Sequence, residues 1–184
     1  MNNPQHILQT LDRHLTQPAE ITIFGRAALA LGFSNSPAAF ATTQDVDAIL
    51  PLSWLEAADE NLDFWQAQQK TNAELEPSGL YITHLFRELE IILQPDWLTQ
   101  RVRVPVALGK LTVFRPTVLD LILTKMARGD ENDLADIRFL LGHEGISTAQ
   151  LEAAFRRARV PEVPEICELF RIAQPKVLAL AQSA

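Results

Sequence analysis

From Pro116 to residue 181 the apolar positions recur only at helical spacing, and no segment alternates as a half-buried strand would. The spacing predicts helices over 117–128, 133–142, 148–159 and 163–181, with Pro116 placed for a first helical turn. Ahead of Pro116 the pattern differs. "EITIF" (20–24), residues 45–50, "LYITHL" and "LEIILQ" are rich in β-forming residues, and "RVRVPVAL" with "KLTVF" predicts a hairpin closed around Gly109. Helices are predicted here too: over 5–15, over "RAALALGF" just after Gly25, and over 53–70. In the last of these Ser53 is the expected N-cap, with Trp54, Leu55, Ala58, Leu62 and Trp65 on one face. Strands followed by helices in this order specify an α+β fold, a mixed sheet with a helical carboxyl-terminal portion. We expect an α/β core over 1–115 and a helical portion over 116–184 packed on it as one compact unit.

A chain of 184 residues can bury a core of its own. Its apolar runs fall well short of the roughly 20 residues that span a bilayer, so no membrane partner is expected. "MNNPQHILQT" lacks the basic and apolar regions of a secretion signal. Cys167 is the only cysteine, which precludes an internal disulfide and fits a reducing, cytoplasmic setting. Within "EICELF" it is expected as a buried structural thiol. A net charge of −7 argues against broad, non-specific binding to nucleic acid. A small basic site stays open, since Arg101, Arg103, Arg115, Lys125 and Arg128 fall in one part of the chain.

"TTQDVDAIL" (42–50) sets two acids into an apolar run. In a strand Asp45 and Asp47 share one face, roughly 6.5 Å apart along the chain. Carboxylates that close resist burial unless a cation lies between them; the plain alternative is a wet face. Upstream, a strand ends in Gly25 and a helix begins, an arrangement that lets backbone approach a ligand and offers N–H groups to phosphate. Downstream, "RELEIIL" puts Glu88 and Glu90 at the opening of another strand, on one face with Ile92. "LTKMARGDENDLADIRFLL" then supplies Lys125, Arg128, Asp133 and Asp136 around a helix break at Gly129. Taken singly, each has an ordinary explanation: Lys125 as a snorkelling lysine, Asp133 as an N-cap, Asp136 as a first-turn acid facing the helix dipole. Order and spacing together say more.

That order resembles the nucleotidyltransferase superfamily, the minimal enzymes related to DNA polymerase β. Within it the chain is similar to the small AbiEii-like proteins found as toxins in bacterial toxin–antitoxin pairs. "FGRAALALGF" takes the place of their glycine-opened helix and "TTQDVDAIL" that of their threonine followed by an Asp-x-Asp strand. "LEIIL" would bring the third acid, and "LTKMARGDENDLADIRFLL" the helical motif, over roughly residues 20–142 in all. The resemblance implies transfer of a nucleotidyl group from a nucleoside triphosphate to an RNA or protein acceptor, with a cognate antitoxin as a further partner. It implies Mg²⁺ or Mn²⁺ held by Asp45, Asp47 and Glu90, and Lys125 as a catalytic cation at the phosphates. Gly25, Arg26, Arg128, Asp133 and Asp136 would bind the nucleotide. Two departures stand out: Arg26 follows the first glycine where the family has Gly or Ser, and the third acid is Glu90 rather than aspartate. They leave an alternative, a catalytically inactive module of the same fold that acts through protein contacts.

Two other readings are weaker. A dinucleotide fingerprint needs G-x-G-x-x-G, and this chain has Gly25, Ala27 and Ala30. His6, His14, His84 and His143 are scattered, as chance surface histidines would be.

Overall fold

The computed structural model describes residues 2–57, 59–82 and 85–183. It opens with helix α1 (Asn3–His14), whose N-cap Asn2 accepts the Gln5 N–H at 3.1 Å and whose first turn tolerates Pro4. There follow β1 (Ala19–Phe24), α2 (Gly25–Gly32), β2 (Asp47–Leu50), α3 (Leu52–Glu56), α4 (Leu62–Leu75), β3 (Leu85–Arg87) and α5 (Trp97–Gln100). β4 (Val102–Arg103) and β5 (Leu111–Arg115) complete the strands, and α6 (Val118–Lys125), α7 (Glu131–Glu144), α8 (Thr148–Arg157) and α9 (Pro164–Gln182) end the chain. The fold is α+β, as the sequence predicts.

Contacts divide the chain into two compact units, Met1–Glu88 with Arg101–Arg115, and Leu89–Gln100 with Pro116–Ala184. The first holds the sheet, in the order β3-β2-β1-β5-β4. β1 is central, antiparallel to β2 and parallel to β5; β2–β3 is parallel and β4–β5 antiparallel. Ile21, Ile23, Ala48, Ile49, Leu111 and Val113 are buried along these strands, and Ile7, Leu8 and Leu11 bury the apolar side of α1. Asp12, at the edge of that side, accepts the N–H groups of Gly109, Lys110 and Leu111 at 2.9, 2.7 and 2.7 Å and so fixes the turn of the predicted hairpin. Burial works to raise its pKa, but those three N–H groups and the Lys110 charge prevail and hold it below the usual value.

Two cations of the expected basic cluster serve this unit's framework. Arg115 is buried, stacks 4.1 Å from the Phe33 ring centroid and donates to the Gly32 carbonyl at 3.2 Å. A Cβ on Gly32 would strike its Cδ at 2.5 Å. Arg101 pairs with Glu20 at 2.6 Å and lies 4.0 Å from the Phe114 centroid.

Three local expectations are corrected. The helix over 53–70 is two helices, α3 and α4, because the Asn61 amide donates to the carbonyls of Trp54 and Ala57 at 2.9 and 3.0 Å and so takes up the end of α3. Ala58, assigned to that helix, lies outside the described residues, as do Thr83 and His84 of "LYITHL". "LEIILQ" is not a sheet strand: Glu88–Glu90 is a 3₁₀ turn, and the Glu88 carboxylate accepts the Leu52 N–H at 2.8 Å. Lastly, Cys167 is exposed, with its thiol 3.4 Å from the Pro161 carbonyl oxygen.

The second unit packs α6, α7, α8 and α9 with the segment 89–100. Ile91, Ile92 and Leu93 are buried there, and Leu93 exchanges backbone hydrogen bonds with Arg159. Asp120, buried on α6, accepts the Gln94 N–H and the Thr117 hydroxyl, both at 2.7 Å; its burial raises its pKa. No described helix is long and apolar enough to cross a membrane.

Candidate functional site

The predicted acid pair is positioned entirely within the first unit. β1 ends at Phe24, and Gly25 turns into α2 with φ +61, a left-handed conformation that glycine adopts without strain. In the β1–β2 register Phe24 stands opposite Asp47. A Cβ on Gly25 would lie 3.1 Å from Asp47 Oδ2, so the glycine supplies both the turn and the room for that carboxylate. Phe24, the N-cap of α2, gives the first turn no side-chain hydrogen bond.

Asp45 lies just ahead of β2, in a parallel bridge with Tyr81. On either side of it, Gln44 accepts the Tyr81 N–H at 3.0 Å and Val46 donates to the Tyr81 carbonyl at 3.1 Å. Val46 is fully buried, while Asp45 and Asp47 are half-buried, the alternation expected of acids sharing the opposite face. The Thr43 hydroxyl donates to Asp45 Oδ1 at 2.7 Å. The resemblance places a threonine ahead of the Asp-x-Asp strand without giving it a role; a hydroxyl two residues before an acid is the signal that points to this contact. Arg26, in the first turn of α2, directs its guanidinium toward Phe40, 5.9 Å from the ring centroid.

The other predicted residues belong to the second unit. Glu90 ends the 3₁₀ turn and is exposed, rather than lying on a strand with Ile92. Lys125 ends α6, and its Nζ lies 2.6 Å from Asp136 and 3.3 Å from Asp133. With Lys125 only 11 % exposed and the two acids at 2 % and 4 %, this is an interior ion cluster and not a snorkelling lysine. Arg128 joins through Nε and an Nη to the two oxygens of Asp133, at 2.9 and 3.1 Å, and that contact raises its pKa. The N-cap of α7 is Asp130, which accepts the Asp133 N–H at 2.9 Å; that hydrogen bond lowers the Asp130 pKa. Asp133 therefore sits in the first turn, its side chain given to Lys125 and Arg128.

Among the described residues no three His, Cys, Asp or Glu side chains are grouped to hold a metal ion. The pair Asp45 and Asp47 still suits magnesium, which is commonly bound through one or two carboxylates with water and substrate phosphates filling the octahedron.

Residues 5–158 match a family model described as "Nucleotidyltransferase of unknown function (DUF6036)". Among curated proteins and solved structures no match was found.

Proposed function

Because this chain belongs to that family of nucleotidyltransferases, we propose that the first unit binds a nucleoside triphosphate with Mg²⁺ or Mn²⁺ at Asp45 and Asp47 and transfers its nucleotidyl group to a hydroxyl acceptor. The observation that carries the reading is the left-handed Gly25, which opens α2 directly beside the Asp47 carboxylate. The α2 N–H groups, with the helix dipole behind them, suit phosphate oxygens. Asp45 and Asp47 supply hard oxygen ligands for the divalent ion. When bound, that ion neutralises charge on the phosphate oxygens. Transfer forms a bond from acceptor oxygen to the α-phosphorus, releases pyrophosphate and frees the hydroxyl proton. In the second unit, Asp133 and Asp136 hold the Lys125 ammonium in one position. The resemblance noted above extends the proposal to an RNA or protein acceptor and to a toxin paired with an antitoxin.

The test is thermal denaturation with triphosphate and divalent metal. At one hundred times its dissociation constant a ligand stabilises the fold by about 2.7 kcal/mol, on the order of 5–10 °C for a chain of this size. Asp45→Asn should abolish the shift and leave the ligand-free protein as stable, since an amide oxygen can still accept the Thr43 proton. No shift in the wild type would favour the inactive binding module instead. Incubation with α-labelled triphosphate, total RNA and total protein would identify the acceptor class.

A further inference from the structure

Thr43 is anchored before it touches Asp45. Phe40 is buried and starts a 3₁₀ turn over Phe40–Thr42, and the Thr43 N–H donates back to the Phe40 carbonyl at 3.3 Å. From that point the hydroxyl gives its single proton to Asp45 Oδ1. The Asp45 backbone is meanwhile pinned through its neighbours by the Tyr81 hydrogen bonds. Both ends of the Thr43–Asp45 contact are thus fixed, and the carboxylate is held in one orientation. Among the described residues Asp45 Oδ2 has no hydrogen-bond partner.

We propose that Thr43 is a positioning residue that makes Asp45 a one-oxygen ligand and so biases the acid pair toward small divalent ions over calcium; the inference rests on the metal-binding reading above. The reasoning is geometric. Calcium accepts both oxygens of one carboxylate and tolerates irregular shells, whereas magnesium and manganese favour octahedra built from single oxygens. A hydroxyl proton on Oδ1 spends a lone pair of that oxygen and hinders chelation through both. It also fixes the ring-like Thr43–Asp45 turn, so a small ion meets Oδ2 without first ordering the side chain. Hydrogen-bond partners of metal ligands typically alter affinity by about 10–100-fold when removed.

The experiment measures Mn²⁺ affinity by electron paramagnetic resonance and Ca²⁺ affinity by calorimetry on the full chain, for the wild type, Thr43→Val and Thr43→Ser. Activity is not needed for either readout. The expected result is a loss of about tenfold or more in Mn²⁺ affinity for Thr43→Val, with Ca²⁺ affinity unchanged or raised and the wild-type ratio restored by Thr43→Ser. Should Thr43→Val fail to fold, Thr43→Ala carries the same comparison. Equal losses for both ions, or an unchanged ratio, would overturn the proposal while the metal-binding reading stands. A wild type that binds no Mn²⁺ through Asp45 would overturn that reading, and this inference with it.

Discussion

Gly25→Ala separates backbone strain from crowding of the acid pair. The left-handed φ of +61 costs a residue with a Cβ roughly 1–2 kcal/mol. The new methyl would also stand 3.1 Å from Asp47 Oδ2, closer than ordinary van der Waals contact, so the carboxylate must turn aside. Gly145 provides the control: its φ is +60, it ends α7, and no atom lies within 4 Å of its added Cβ. Gly145→Ala therefore meets the backbone cost alone. Both variants should lose about 2–8 °C in melting temperature, but only Gly25→Ala should weaken manganese and triphosphate binding, by about tenfold or more. Circular dichroism melts and calorimetric titration measure the two effects independently. Unchanged affinity in Gly25→Ala, or an equal loss in Gly145→Ala, would refute the claim that Gly25 keeps Asp47 clear.

Arg26→Gly removes a cation from the first turn of α2 and should lower triphosphate affinity at least tenfold, roughly 1.4 kcal/mol; unchanged affinity in a titration would mean that Arg26 does not meet the triphosphate. Asp12→Ala should cost about 2 kcal/mol in denaturant unfolding, mostly because the buried Leu111 loses its N–H acceptor, whereas water can reach the exposed Gly109 and Lys110. The folded-state pKa of Asp12 is depressed below 3.8, so its contribution is complete above that value and lost as pH falls through the lower folded pKa. The stability gap between wild type and variant should accordingly hold steady from neutral pH to about 5 and narrow below about 4, where the neutral carboxyl keeps an acceptor for Leu111 but loses its charge. Asp136→Asn leaves Lys125 with a weaker partner in a closed setting and should cost about 3 kcal/mol in the same assay.

The acid pair was legible because strand alternation and a glycine before a helix are local signals, carried by a few consecutive residues. The α+β order was legible for the same reason, as helical periodicity runs unbroken after Pro116. What escaped depends on partners distant in sequence. "LEIILQ" has the composition of a strand, but a short apolar run does not say what will bury it; Ile91–Leu93 are buried in the helical unit, and Glu90 stays on an exposed turn. The break after α3 needed Asn61 to compete for backbone carbonyls, which composition does not reveal. Asp130 outcompeted Asp133 as the cap of α7, freeing Asp133 for Arg128 and Lys125. The helical spacing around Cys167 placed it on α9 but on the wrong side of it.

The place of β5 beside β1 bears on how the chain assembles. Thr22 pairs with Phe114 across about ninety residues, and this parallel pairing joins the two halves of the sheet. Closing so long a loop is entropically costly and slow compared with forming helices, so β1 waits for its neighbour until residue 115 has been synthesised. During translation β1 and β2 present an open edge, a surface prone to pair with the wrong chain. The detour through 89–100 adds a topological constraint, because those residues belong to the second unit while the chain on both sides belongs to the first. A fragment beginning at Pro116 lacks the Gln94 N–H that meets buried Asp120 and the Leu93 backbone that pairs with Arg159. The two units are therefore interleaved along the chain, and one cut cannot yield both intact.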